Sequence, residues 1–330
     1  MAYDLDFERP LAEIDKRIAH LQKRGDRMRA EERAQLEELK REYQRRMREI
    51  YSSLTPWQRG QVARYRDRPY TNDYLKLIFE DYFEMRGDRR FADDRAIQGG
   101  LARLDGETVV IMGHQKGREL KEKEECNFGM AHPEGYRKAL RLFKYAERFH
   151  FPVITLIDTT GAYPGLGDEE RGISQAIAEN LMVMAALRTP IVCVVIGEGG
   201  SGGALGIGVG DRVLMLENAV YTVAAPEAAA SIIWRDNAFA PDAAQAMKIT
   251  APELLEFGIV DGIIPEPLGG AHRDYEAAAS ALKAALLNSL GELRGLSVET
   301  LLEQRYQRFR RIGLQGIAEI APVSSAARRQ

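Results

Sequence analysis

Cysteine is nearly absent from this sequence, which has only Cys126 and Cys193 among its 330 residues. The two lie far apart, and Cys193 sits within an apolar segment, so by themselves they predict neither a disulfide framework nor a structural zinc site. We therefore expect no metal ion in this chain. We also expect a reducing compartment, and the cytoplasm is the default.

Long apolar runs and an excess of charge of one sign are also missing. No run approaches the ~20 apolar residues of a membrane span, and residues 1–6 are acidic, unlike the start of a secretory signal peptide. The formal net charge is −3, and 45% of the residues are hydrophobic. These values predict a soluble globular protein and give no signature of membrane or nucleic-acid binding.

Lysine is absent from the most glycine-rich segment, residues 197–210, in which eight of fourteen residues are glycine. The segment follows residues 191–196, a β-branched apolar run that predicts a buried strand. Glycine costs roughly 0.5–1 kcal/mol relative to alanine in regular structure, so this many indicate positive φ angles or close approach of the main chain. We expect a strand, a glycine turn and a buried helix over residues 204–209, with free N–H groups at the turn.

Several kinds of site share this geometry. A P-loop needs Gly-Lys-Ser/Thr, which the segment lacks, and a dinucleotide fingerprint through Gly197, Gly199 and Gly202 occurs by chance in any glycine-rich run. An oxyanion hole made only of backbone N–H groups would leave Ser201 as a turn residue. The alternative is the G-x-S-x-G elbow of a serine hydrolase, with Ser201 as nucleophile. Its partners would come from Asp211, Asp236, Asp261 and His272.

The order of predicted elements indicates an α/β fold with a parallel sheet. Residues 1–55 form an N-terminal helical extension with a break at Gly25-Asp26, residues 56–295 form the main domain, and residues 296–330 form a C-terminal helix to 311 and a loose tail from 318. Hairpins are predicted for 97–104 with 108–113 and for 212–216 with 220–224, and a polar surface loop for 114–125. Helices are predicted at 136–149 and 173–187 and after Pro226, and strands at 153–157, 191–196 and 259–264.

Seven motifs, in order along the chain, resemble the carboxyltransferase alpha subunit of bacterial acetyl-CoA carboxylase. The resemblance runs from near the N-terminus to about Arg310, with departures at Thr160, Ala225 and Ala228, where Pro, Ser and Gly are usual. The motifs are RGD at 86–88, GHQKGR at 113–118, NFGM at 127–130, PEGYRKAL at 133–140, GAYPG at 161–165, GEGGSGGA at 197–204 and IPEPLGGAHR at 264–273.

The resemblance implies a crotonase-type (ClpP/crotonase) spiral of ββα units and a role in fatty-acid synthesis. The family's reaction moves a carboxyl group from N1 of biotin, held by the biotin carboxyl carrier protein, to acetyl-CoA and forms malonyl-CoA. The alpha chain is similar to the biotin-side half of the site. A beta subunit, in an α2β2 assembly, is implied to supply the CoA-side half and a zinc ribbon, and a separate biotin carboxylase uses the ATP. No covalently bound cofactor is expected here.

With that role, the glycine segment is interpreted as an oxyanion hole for the ureido oxygen of biotin. Gly202 and Gly203 are the expected donors, because they begin the predicted helix. No protein base is needed, since the departing biotin can take the acetyl proton. Another biotin-dependent acyl-CoA carboxyltransferase and a non-catalytic scaffold remain alternatives. The other expected site residues are Gly161, Tyr163, Gly165, Gly200 and Ser201 as walls of the site, Lys116 and Arg118 for anionic substrate groups, and His114, His132 and His272 as structural residues.

Overall fold

The computed structural model describes residues 5–314, and the loose tail expected from residue 318 lies outside them. Two helices, α1 (Arg9–Gln22) and α2 (Ala30–Ser52), lie on either side of the predicted break and form an N-terminal hairpin. Apolar side chains of both helices pack together along its length. The short helices α3 (Pro56–Ala63) and α4 (Thr71–Ile78) then lead into the main body.

One sheet of eight strands forms the centre of the described part of the chain. Its order is β1-β2-β3-β4-β5-β6-β8, with β7 paired to the far end of β5. The first three strands are antiparallel, and β3 to β8 run parallel to one another where they pair. The strands are β1 (Glu80–Glu84), β2 (Ile97–Leu104), β3 (Glu107–His114), β4 (Val153–Thr159), β5 (Ile191–Gly200), β6 (Arg212–Leu216), β7 (Val220–Thr222) and β8 (Gly262–Ile264).

Ten further α-helices follow within residues 5–314. Pro133 and Pro226 each occupy the first turn of a helix, where a missing N–H costs nothing. The helices are α5 (Leu120–Glu125), α6 (Pro133–Phe149), α7 (Leu166–Glu170), α8 (Ile173–Ala186), α9 (Ser201–Leu205), α10 (Pro226–Trp234), α11 (Ala240–Met247), α12 (Ala251–Glu256), α13 (Tyr275–Arg294) and α14 (Val298–Arg311).

Helices lie on both faces of the sheet. A Cβ placed on Gly99 of β2 would meet Leu142 of α6, whereas one on Gly113 of β3 would meet Thr71 of α4. Gly113 pairs with Gln98, the neighbour of Gly99, and successive residues of a strand point to opposite faces. The helices α6 and α4 therefore cover opposite faces. Strands β4 and β5 are buried along their whole length, which explains their nearly continuous apolar sequence.

The predicted β2–β3 hairpin is confirmed, with positive φ angles at Asp105 and Gly106 as a tight two-residue turn requires. The second predicted hairpin is wrong. Strand β6 pairs in parallel with residues 192–195 of β5, and β7 pairs in parallel with residues 198–200 of the same strand. The connection between them is held by Arg59, whose guanidinium donates to Glu217 O and to Asn218 Oδ1. This contact comes from a distant helix, so the local pattern carries no sign of it.

Three further boundaries differ from the prediction. Strand β5 continues through the first glycines to Gly200, and α9 begins at Ser201 and ends at Leu205, so the helix predicted over 204–209 is displaced towards the N-terminus. Strand β8 covers only the last three residues of the predicted strand 259–264. The polar loop 114–125 is not simply a surface loop, because His114 is fully buried and α5 forms within it.

Candidate active site

The loops that follow β4 and β5 meet at one edge of the sheet, as expected for adjacent parallel strands. A Cβ on Gly200 would lie 2.1 Å from Thr160 O, and one on Gly203 would lie 2.4 Å from Gly161 C. Both distances are far below any van der Waals contact. The close approach of the two loops therefore requires glycine at positions 200 and 203.

Gly202 and Gly203 lie in the first turn of α9. The first N–H groups of a helix have no partner inside it, so this turn can present backbone donors. Ser201, which opens the helix, has a φ of 51°, a left-handed value that is uncommon outside glycine. The predicted position of the donors at a helix start is therefore found, whereas their role towards a ligand stays a prediction.

Tyr163 and the loop around it form one wall beside these glycines. The Tyr163 N–H donates to Ala131 O at 3.1 Å, and its ring packs edge-on against His132 with centroids 5.0 Å apart. The His132 Nδ1 lies 2.5 Å from Asp168 Oδ1. A Cβ on Gly165 would collide with both the Tyr163 ring and the Asp168 carboxylate. Gly165 is thus needed for this packing.

A cluster of buried and partly buried charges adjoins the glycine-rich end of β5, residues 197–200, which is called the glycine strand below. The Lys116 ammonium is 2.7 Å from both Asp158 Oδ1 and Glu198 Oε2, and its side chain is 14% exposed. Arg64 reaches the other oxygen of Glu198 at 2.6 Å and also pairs with Glu227. These four side chains of Lys116, Arg64, Asp158 and Glu198 are called the glycine-strand charge cluster below.

Burial and ion pairing shift the pKa values of Asp158, Glu198 and Lys116 in opposite directions. Burial raises the pKa of Asp158 above its usual value, although Lys116 opposes this. Burial also raises the pKa of Glu198, but Lys116 and Arg64 outweigh it, so the pKa lies below its usual value. The two carboxylates in turn outweigh burial at Lys116 and raise the pKa of its ammonium. Lys116 is therefore a charged, internally paired group.

Arg118 is also paired internally. Its guanidinium donates to Asp73 at 2.7 Å and to the Tyr275 hydroxyl at 2.9 Å, and it lies 4.8 Å from the centre of the Tyr70 ring. Both cations that were predicted to bind anions, Lys116 and Arg118, thus form ion pairs with carboxylates of the chain itself. Their direct contact with anionic substrate groups stays a prediction.

Of the three histidines predicted to be structural, His114 is fully buried, and His272 is partly buried with both ring nitrogens inaccessible to solvent. Burial, with Lys116 nearby, lowers the pKa of His114 to about 3, and its Nδ1 accepts the Asp158 N–H at 3.4 Å. Burial also lowers the pKa of His272 to about 4, with a further contribution from Arg273, and the ring packs against Tyr65.

The structure does not assemble the serine-hydrolase triad. Within residues 5–314, no histidine lies within hydrogen-bonding distance of the Ser201 hydroxyl. The candidate acids are engaged elsewhere, Asp211 with Arg305 and Asp261 with Arg308. Asp236 caps a turn by accepting the Ala238 N–H. Ser201, the first residue of α9, therefore has no catalytic partners in this structure.

An apolar cleft of about 760 Å³ opens beside Ser201 and Gly202. Among the residues lining the cleft are Leu205, Tyr221, Met247, Phe257 and Phe309. Because these residues come from widely separated elements, the cleft could not be predicted from the sequence.

The sequence also did not predict that Arg64, Asp158 and Glu198 belong to the site. The only local signal was an acidic residue at or near the end of each of two predicted strands.

Solved structures define the fold class. A Pseudomonas malonate decarboxylase hetero-tetramer in complex with coenzyme A matches 70% of this chain and 90% of its own, with a TM-score of 0.56 and 17% identity. The beta subunit of P. aeruginosa geranyl-CoA carboxylase matches 75% of this chain and 46% of its own chain, with a TM-score of 0.53 and 17% identity. Transcarboxylase 12S matches 67% of this chain and 42% of its own chain, with a TM-score of 0.52 and 22% identity. The chain thus has the predicted crotonase-like fold shared by these enzymes.

Sequence comparison identifies the protein family within this fold class. The family model described as acetyl co-enzyme A carboxylase carboxyltransferase-like matches residues 4–313. The acetyl-coenzyme A carboxylase carboxyl transferase subunit alpha of Geobacter metallireducens is 54% identical over 311 residues, which is 94% of this chain and 97% of the relative. Its counterpart in Rhodopirellula baltica is 51% identical over 310 residues, with the same coverage. The chain belongs to the acetyl co-enzyme A carboxylase carboxyltransferase-like family.

Proposed function

We propose that this chain is the alpha subunit of the carboxyltransferase component of acetyl-CoA carboxylase. With a beta subunit, it transfers a carboxyl group from biotin on the carrier protein to acetyl-CoA and forms malonyl-CoA. The observation that carries the proposal is the match over nearly the whole chain to relatives of that name. The backbone donors at the start of α9 supply the matching chemistry.

The chain's own residues would act through their main chain. Biotin, when bound, supplies the carboxyl group on a ureido nitrogen. We propose that the N–H groups of Gly202 and Gly203 donate to the ureido oxygen. Donors there lower the barrier because negative charge develops on that oxygen as the bond between N1 and the carboxyl group breaks. Gly202 borders the apolar cleft, whose mostly apolar walls suit the ring system of biotin.

The proposal includes partners that complete the site. A beta subunit in an α2β2 assembly would supply the CoA-side half and a zinc ribbon, and biotin carboxylase would use the ATP. Within residues 5–314, no group of three or more His, Cys, Asp or Glu side chains is arranged to hold a metal ion. No helix in that range is both long and apolar enough to cross a membrane, and we place the complex in the cytoplasm.

Reconstitution tests this function. The chain and a beta subunit are purified separately, and malonyl-CoA-dependent carboxylation of biocytin is measured for each and for the mixture. We expect turnover only in the mixture, because each chain holds half of the site. Robust turnover by this chain without its partner would contradict the proposal.

A fluorophosphonate probe tests the hydrolase alternative in the same preparation. If Ser201 is a turn residue, the probe does not label it, and Ser201→Ala keeps reconstituted turnover within about tenfold. A nucleophilic serine would be labelled, and Ser201→Ala would then lower the kcat of the hydrolase reaction by ~10⁴-fold or more.

A further inference from the structure

We infer that the glycine-strand charge cluster sets the position of the backbone donors, and that Lys116 is a positioning residue for carboxyl transfer. The inference rests on the proposed function for the reaction but on geometry for the mechanism. It assigns to Lys116 a task different from direct binding of substrate anions.

The pairing of β4 with β5 is interrupted immediately before the donors. Ile157 pairs with Val195, but Thr159 pairs with Gly199, so β4 advances by two residues while β5 advances by four. Such a bulge redirects a strand and leaves its backbone groups without ladder partners. On its other side, β7 pairs with residues 198–200, but on the β4 side the residues between Val195 and Gly199 need other groups to hold them.

Charged side chains supply the missing partners. The Glu198 N–H donates to Asp158 Oδ1 at 2.9 Å, and Ile196 O accepts from Arg68 Nε at 2.8 Å. Arg68 is fully buried and pairs with Glu266. A buried backbone N–H and a buried C=O of the bulge are thus satisfied by an aspartate and an arginine.

Lys116 holds the aspartate in place. Its ammonium contacts Asp158 Oδ1, the same oxygen that accepts the Glu198 N–H, and it also contacts the Glu198 carboxylate. One cation therefore joins the side chain that binds the bulge to a side chain of the bulge itself. Glu198 lies four residues before Gly202, and the chain between them is continuous strand and helix start.

Glycines make room for this arrangement. A Cβ on Gly197 would lie 2.4 Å from Asp158 Oδ1. A Cβ on Gly129 would lie 2.8 Å from Lys116 Cγ, and the φ of Gly129 is +81°. Two glycines far apart in sequence are therefore explained by the space that the cluster occupies.

Within the cluster, two cations balance two carboxylates. Arg64 contacts Glu198 but is not hydrogen-bonded to Asp158, so Lys116 provides the direct charge partner of Asp158. Loss of Lys116 leaves a buried carboxylate underneath the bulge without that partner, which favours its protonation or displacement. The donors downstream would then shift, and a displacement of about 1 Å can cost ~10²-fold in rate.

The test uses the assembled alpha–beta complex and the biocytin assay. We expect Lys116→Met to lower kcat by ~10²-fold with little change in KM for malonyl-CoA or biocytin, because the donors and not the binding contacts are disturbed. Lys116→Arg, which keeps the charge, should have a kcat at least tenfold higher than that of Lys116→Met. Lys121→Met, an exposed lysine of the same loop region, is the matched control and should behave as wild type.

The pH profile gives a second readout. Without Lys116, Asp158 takes a proton at higher pH, so the acid limb of kcat should move upward in pH in Lys116→Met and return towards the wild-type position in Lys116→Arg. A substitution that merely loosens the fold would not move this limb. The titratable or charged groups that face Asp158 are Lys116, His114, Glu198, Arg68, Tyr70 and Tyr74.

A readout without catalysis separates this inference from the proposed function. Amide hydrogen exchange of peptides covering residues 196–204 should accelerate at least tenfold in Lys116→Met and remain unchanged in Lys121→Met. If the wild-type complex shows no carboxyl transfer but this exchange accelerates, the function fails and the positioning role stands. If KM rises tenfold with kcat unchanged, or if exchange and kcat both stay at wild-type values, Lys116 is not a positioning residue.

Discussion

Gly203 shows at the scale of one residue why side chains are missing from this site. Its Cα faces the backbone of Gly161 and Ala162, which a Cβ would overlap at 2.4 and 2.6 Å. Backbone atoms cannot rotate away as the end of a flexible side chain can. Even a methyl group at position 203 must therefore separate the two loops.

Gly203→Ala is expected to lower kcat of the reconstituted complex by ~10²–10³-fold, the effect of losing one oxyanion donor. The matched control is Gly291→Ala, because a Cβ at Gly291 in α13 meets nothing within 4 Å. That control should keep wild-type kcat and raise the free energy of unfolding by roughly 0.5–1 kcal/mol. Wild-type turnover in Gly203→Ala would rule out these donors.

At the scale of elements, the α1–α2 hairpin is fastened to the body by a buried ion pair. Glu8, immediately before α1, accepts two hydrogen bonds of 2.7 Å from Arg273, which lies nine residues beyond the end of β8. The Tyr51 hydroxyl at the end of α2 donates to the same carboxylate at 2.7 Å. Apolar contacts of Leu11 and Met47 surround it. One carboxylate therefore joins both ends of the hairpin to the domain.

Glu8→Ala removes the carboxylate that faces Arg273 and should lower the free energy of unfolding by about 3–5 kcal/mol, as expected when one partner of a buried pair is lost. Denaturant unfolding measures this. Glu13→Ala, which breaks the exposed pair with Lys16 on the same helix, should change stability very little. Equal effects of the two substitutions would show that the buried pair does not fasten the hairpin.

At the scale of the whole molecule, two neutral buried histidines make stability depend on pH. The folded pKa values of His114 and His272 are about 3 and about 4, below the unfolded value near 6.5. Their unfolded forms therefore bind more protons below pH 6.5. Stability is fully present above pH 6.5 and is lost as the pH falls towards the folded values.

We expect the free energy of unfolding to fall between pH 6.5 and pH 4, and each histidine contributes at most about 1.4 kcal/mol per pH unit. His272→Phe should reduce the slope, since it removes one titrating ring while keeping an aromatic contact with Tyr65. Urea unfolding at several pH values measures both proteins. An unchanged slope in His272→Phe would mean that this ring does not contribute.

Much of the fold and part of the site could be predicted from local pattern. The Asp105-Gly106 turn has residues that tolerate positive φ, the apolar runs of β4 and β5 identify buried parallel strands, and the glycines after β5 predict close approach of the main chain. These features depend on residues near one another in sequence, whose backbone preferences and periodicity act locally.

Only the tertiary structure decided how the glycine strand is held. Lys116, Arg64 and Asp158 come from three separate parts of the chain. Lys116 was predicted to bind substrate anions, and nothing in the local pattern showed that these three residues meet at the bulge. The parallel placement of β6 and β7 beside β5 was likewise set by contacts from distant residues. The sequence by itself determined a glycine-rich segment whose backbone N–H groups can act as donors. The tertiary structure decided which charged side chains position those donors, because electrostatic pairing acts through space and not along the chain.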